Sequence, residues 1–199
     1  KALADHNRKA TALDVNILYY AGHGLQVGGI NYIAPVDMLA DGISSGYVKL
    51  NGVALNDALD YLPARTRLVF LDACRDNPFG GDLKSGKGLS QVDAPIGTLL
   101  AYATAPGNVA SDGGGSNGLY TESILREIRT PEAKIEDVFK RVRLAVRRAS
   151  QGQQIPWEST SLEDDFYFLP PADIKKLSQE ELDRQFAEEA AIWEKAQQA

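Results

Sequence analysis

Leu68-Val69-Phe70-Leu71-Asp72-Ala73-Cys74-Arg75-Asp76 is the stretch that decides the fold. An apolar run of strand length breaks off in Asp-Ala-Cys-Arg, and Cys74 is the only cysteine in the chain. A run this apolar reads as a strand buried on both faces, as in a parallel sheet under helices. Its last side chains emerge at the carboxyl edge of the sheet, where open α/β sheets place their ligands. A thiol there is open to chemistry in a way that a cysteine in mid-strand is not.

A second stretch mirrors it upstream. Asn16-Ile17-Leu18-Tyr19-Tyr20-Ala21 is apolar and ends in Gly22-His23-Gly24, so His23 stands at another strand exit, 51 positions before Cys74. If the two strands are parallel neighbours, ~4.8 Å apart, thiol and imidazole open onto the same edge.

Composition narrows the function classes. The chain has 199 residues, 44% hydrophobic and 24% charged, which suits one α/β domain with some length left for an appendage. A net charge of −6 disfavours non-specific nucleic-acid binding. The basic run Lys140-Arg141-Val142-Arg143 with Arg147-Arg148 reads as the wet face of a helix whose apolar stripe is Val138, Val142, Ala145 and Val146. No apolar run approaches the ~20 residues of a membrane span. A single cysteine excludes an intramolecular disulfide and leaves the compartment open.

Taken in order, residues 1–13 read as the last turns of a helix, so the sheet is expected to lack its first strands in this chain. The strand at 16–21 leads to a hairpin at 26–33 that turns on Gly28-Gly29. An extended piece is expected at 46–49. A helix is expected from Leu50 to Leu62, capped by Asn51 and stopped by Pro63. The cysteine strand spans 67–72. A glycine-rich loop at 77–97 carries Lys84 and Lys87, and a loop of that length is usually functional. Further strands are expected at 98–104 and 165–169, with helices at 119–129 and 134–149. Residues 1–171 thus form an α/β domain, a mostly parallel sheet with helices on both faces. The capping box Ser178-Gln179-Glu180-Glu181 opens a C-terminal helical extension over 172–199, through which a partner could be held.

The residues at the two exits suit nucleophilic catalysis. Cys74 would attack a peptide carbonyl, with His23 keeping the thiol ionised and then protonating the leaving amine. Gly24 leaves its backbone N–H unobstructed for an oxyanion. Taken singly, a cysteine at a strand end is most often a small buried hydrophobe, and a histidine between glycines most often serves a turn. Both at strand exits, at a spacing that allows adjacency, make a different case. A metal site fits less well, because one cysteine and two histidines offer few soft ligands.

Tyr19-Tyr20-Ala21-Gly22-His23-Gly24 and Leu71-Asp72-Ala73-Cys74-Arg75 resemble the histidine and cysteine motifs of the caspase-like peptidases, the caspases, metacaspases and prokaryotic orthocaspases. A histidine about 50 residues before the cysteine is the known caspase spacing. The resemblance runs on through Tyr102-Ala103-Thr104-Ala105-Pro106-Gly107 and Gly118-Leu119-Tyr120-Thr121, covering about residues 10–169. It implies a three-layer αβα sandwich and a cysteine endopeptidase with Cys74 as nucleophile, His23 as base and acid, and Gly24 as oxyanion donor. Substrate would lie against Asp72, Ala103 and Asp112. Where caspases carry Gln, this chain has Asp72. Asp112 falls where caspases place the arginine that reads substrate aspartate. One or two carboxylates in that pocket favour Arg or Lys before the scissile bond, as in metacaspases and orthocaspases. Lys84 and Lys87 then become candidate self-cleavage points. The partners implied are polypeptides with a basic residue at the cut, with no nucleic acid and no membrane. No cofactor is required by the dyad. Metacaspases often respond to calcium, and Asp37, Asp41, Asp76 and Asp82 are available, but the twelve-residue calcium loop is missing, so calcium stays open. The rival reading is a catalytically silent scaffold of the same fold that binds partners through its C-terminal helix.

Overall fold

The computed structural model describes residues 6, 15–38, 43–74, 89–105, 117–171, 184 and 186–188, with Cys74 described by its backbone alone. Ten elements follow in order: β1 (Val15–Val27), β2 (Ile30–Ile33), α1 (Ser45–Asn51), β3 (Val53–Ala54), α2 (Leu55–Asp60), β4 (Thr66–Cys74), β5 (Thr98–Tyr102), α3 (Leu119–Glu127), α4 (Ile135–Ala149) and β6 (Trp157–Thr160). The strands form one sheet in the order β3-β2-β1-β4-β5-β6. Its centre is parallel, β1 with β4 and β4 with β5, and antiparallel strands flank it on both sides.

β4 shows why the apolar run is a central strand. Successive side chains of a strand point to opposite faces, and both faces here are covered. Leu68 and Phe70 pack with Leu99 and Ala101 of β5 under α3 and α4, through Tyr120, Ile124, Val138, Phe139 and Val142. The Phe70 and Phe139 rings lie 5.2 Å apart. Val69, Leu71 and Ala73 pack on the other face against Leu55 and Leu59 of α2, together with Leu89, Leu100 and Tyr102. Helices on both faces of a parallel core make the expected αβα sandwich. A third cluster, Leu25, Val27, Tyr32, Ile43 and Val48, seats α1 on the β1–β2 hairpin.

Three expected elements are corrected. Residues 46–49 are helical, because the Ser44 hydroxyl accepts the Tyr47 N–H at 3.2 Å as a cap and Val48 is fully buried on the inner side. Asn51 therefore ends α1, and the next helix starts only at Leu55. The last strand is not 165–169 but β6, antiparallel to β5 with Tyr102 opposite Trp157. Phe166 and Phe168 pack against the α3–α4 cluster without joining the sheet, their rings edge to face at 5.2 Å. Only a single bridge, Lys134 with Tyr167, forms there. The basic helix is mostly as expected, with Lys140, Arg141, Arg147 and Arg148 exposed and Val138, Val142 and Val146 buried, but Arg143 is half-buried and pairs with Glu158 of β6, and Ala145 is only half-buried. Ile135 and Phe139 add to the buried side.

Candidate active site

The site is built on the parallel pairing of β1 with β4. Its register runs without slip from Val15 opposite Thr66 to His23 opposite Cys74. Two residues 51 apart in sequence are thus nearest neighbours on adjacent strands, at the carboxyl edge of the sheet. His23 is exposed there.

The backbone on either side of His23 is tightly fixed. Ala34 donates its N–H to the His23 carbonyl at 3.0 Å, and Gly24 stands opposite Ile33. In an antiparallel ladder, the residue after one bonded to its neighbour turns its N–H and C=O the other way. The Gly24 N–H accordingly points to the β4 side of β1, the side of Cys74. Gly24 is also the one residue type that fits. A Cβ on it would stand 2.4 Å from Cγ of Leu89, which is itself buried. Leu89 is held through its neighbour. The side chain of buried Asn31 donates to the Ser90 carbonyl at 2.8 Å, and its oxygen accepts the Ser90 N–H at 2.8 Å and hydroxyl at 3.0 Å.

Asp72, two residues before Cys74, meets the first turn of α3. Its Oδ2 accepts the Thr121 hydroxyl at 2.5 Å, and Thr121 Oγ1 lies 2.7 Å from Tyr19 Oη. A carboxylate only accepts, so the Thr121 proton goes to Asp72 and Tyr19 donates to Thr121. The amino end of a helix is a favourable place for that negative charge. Tyr120 lies wholly buried beside it. Burial first, then the charge of Asp72, pushes its phenol well above the usual range, so it stays neutral.

Ala103, just past the end of β5, is buried. Its N–H donates to the Leu71 carbonyl at 3.0 Å and its carbonyl accepts from Nε2 of buried Gln154 at 2.9 Å. Lys84, Lys87, Asp112, Asp41, Asp76 and Asp82 lie outside the described residues. Asp37 is exposed, and among the described residues no group of three or more His, Cys, Asp or Glu could hold a metal ion. Of the C-terminal extension, residues 184 and 186–188 are described, and the Arg65 guanidinium stands 3.5 Å from the Phe186 ring centroid, next to the start of β4. That is about 25 Å of strand from Cys74.

Tyr19, Thr121, Leu89 and the Asn31–Ser90 clamp carry no role in the sequence reading. Tyr19 and Thr121 do fall inside quoted motifs, but nothing in a sequence says that a threonine on one helix donates to an aspartate 49 residues earlier.

Among curated proteins, none matches the chain. A family model for the caspase domain matches residues 1–167, most of its length. With the αβα sandwich and the His23–Cys74 register already in place, the chain belongs to the caspase-domain family of cysteine peptidases.

Proposed function

We propose that the chain is a cysteine endopeptidase that cuts after Arg or Lys through Cys74 and His23. The observation that carries this is the register of β1 on β4, which sets the two residues side by side at the carboxyl edge. In this reading the His23 imidazole takes the thiol proton, and the Cys74 thiolate attacks the carbonyl carbon of the scissile peptide. The C=O electron pair becomes an oxyanion, which the Gly24 N–H binds. As the intermediate collapses, the C–N bond breaks and His23 returns the proton to the leaving amine, leaving a thioester. Water then attacks that thioester with His23 as base, and the acid and free thiol are released.

The basic preference rests on Asp72, whose carboxylate stands two residues upstream of the nucleophile, with Asp112 proposed beside it. Lys84 and Lys87 fit the same preference and are proposed as self-cleavage points. No step is assigned to calcium. A role in holding partners is a separate proposal for residues 178–199. Phe186 among them already faces Arg65 of the domain.

A panel of fluorogenic peptides that differ only in their last residue tests the reading, with calcium and with a chelator. Arg and Lys peptides are expected to be cleaved at least ~100-fold better than the Asp peptide, as befits loss of a charge-assisted pair. Preference for Asp, or no turnover of any peptide in either buffer, would contradict it.

A further inference from the structure

We infer that Tyr20 is a positioning residue for the oxyanion donor, acting through the peptide that joins His23 to Gly24. The inference rests on the peptidase reading above and adds a part to it. The Tyr20 ring reaches forward along β1, so that a Cβ on Gly22 would stand 2.6 Å from its hydroxyl oxygen and 2.9 Å from Cζ. The hydroxyl ends 2.9 Å from the His23 carbonyl and 2.9 Å from the Ala34 carbonyl, and accepts the Ala34 N–H at 3.1 Å. Burial raises the phenol while its bonds to the Ala34 and His23 backbones pull it back. The group therefore stays a neutral donor.

The His23 carbonyl and the Gly24 N–H are two ends of one peptide unit. The carbonyl end is bonded by the Ala34 N–H and faced by the Tyr20 hydroxyl. The N–H end points to the β4 side. A proton donated to the carbonyl draws electron density from the nitrogen and makes the N–H a stronger donor, as in any chain of hydrogen bonds. It also fixes the plane of the peptide, and hence the direction of the N–H. Leu89, against the Cα of Gly24, keeps that plane from tilting back. The residues Tyr20, Gly22 and Gly24 thus work as a set behind His23. The two glycines are bare because the Tyr20 ring and the Leu89 side chain occupy the space that a Cβ would fill.

The test separates the oxyanion donor from the histidine–cysteine pair. Alkylation of Cys74 by iodoacetamide displaces iodide from carbon and forms no oxyanion, so it reports on the pair alone. Turnover of an Arg-terminated peptide needs both. Tyr20→Phe is expected to lower kcat about tenfold, below the ~10²–10³ for loss of a donor outright. KM should stay within about twofold, and the pH profile of alkylation should be unchanged. A Tyr20→Phe chain with the kcat of wild type overturns the inference. So does a parallel fall of kcat and alkylation, because the tyrosine would then be supporting His23. Should Tyr20→Phe not fold, 3-fluorotyrosine at position 20 decides, being a stronger donor of nearly the same shape. A raised kcat with unchanged alkylation supports the inference, and an unchanged or lower kcat overturns it. If wild type cleaves no peptide, the peptidase reading falls and takes this inference with it.

Discussion

Cys74→Ala is expected to extinguish cleavage of an Arg-terminated peptide, a loss of about 10⁴-fold or more in kcat, while the fold stays intact. Without the sulfur no thioester forms, and none of the remaining groups can replace a covalent intermediate. His23→Ala should cost about 10²–10⁴-fold, the usual worth of a general acid and base. The double variant should be no worse than Cys74→Ala alone, because residues that act as a unit do not add. Steady-state kinetics with thermal melts on all three variants checks this. The melts should differ little, since His23 is exposed at the edge of the sheet. Incubating Cys74→Ala beside wild type also reads self-cleavage at Lys84 and Lys87. Equal fragmentation of both chains would exclude it.

Asp72→Asn is expected to lower kcat/KM for an Arg-terminated peptide by about 100-fold and to leave a neutral last residue nearly unaffected. The two effects of the carboxylate must be kept apart. Toward substrate it supplies a charge for a guanidinium, an interaction of about 1.5–3 kcal/mol. Toward the protein it accepts the Thr121 hydroxyl at the amino end of α3, where losing the charge costs about 0.3–1 kcal/mol. Asparagine keeps an oxygen for Thr121, so most of the local structure survives. The ratio of kcat/KM for Arg and for a neutral residue is the readout, with melting as control. An equal loss on both peptides would mean that Asp72 only anchors α3.

β4 and β5 were legible because burial on both faces leaves an unmistakable apolar run, and β1 from a similar run although Val15, Ile17 and Tyr19 are exposed on one of its faces. Leu68 to Leu71 and Leu99 to Ala101 had no polar residue that could mislead. The carboxyl edge was legible for the same reason, as the point where each run stops. Elements buried on one side were harder. Gly46-Tyr47-Val48 has poor helix propensity, and α1 exists because Ser44 caps it and Val48 finds a place in the hairpin cluster. Phe166 and Phe168 look like a strand since they alternate, yet they fill a gap beside α3 and α4 from a loop. β6 is polar, Glu158-Ser159-Thr160, as an edge strand is free to be. At the site, His23, Cys74 and Gly24 could be named from chemistry and spacing. Tyr20, Thr121 and Leu89 could not, because their contacts with His23, Asp72 and Gly24 exist only in the folded chain.

The most direct test of the central claim is the pH dependence of Cys74 alkylation in wild type and in His23→Ala. An ordinary thiol ionises near pH 8.5, and a neighbouring imidazolium lowers that value. Wild type should alkylate well below pH 8, and His23→Ala should move the profile up toward that of a free thiol. Superimposable profiles would mean that His23 does not act on Cys74, and the dyad would be wrong.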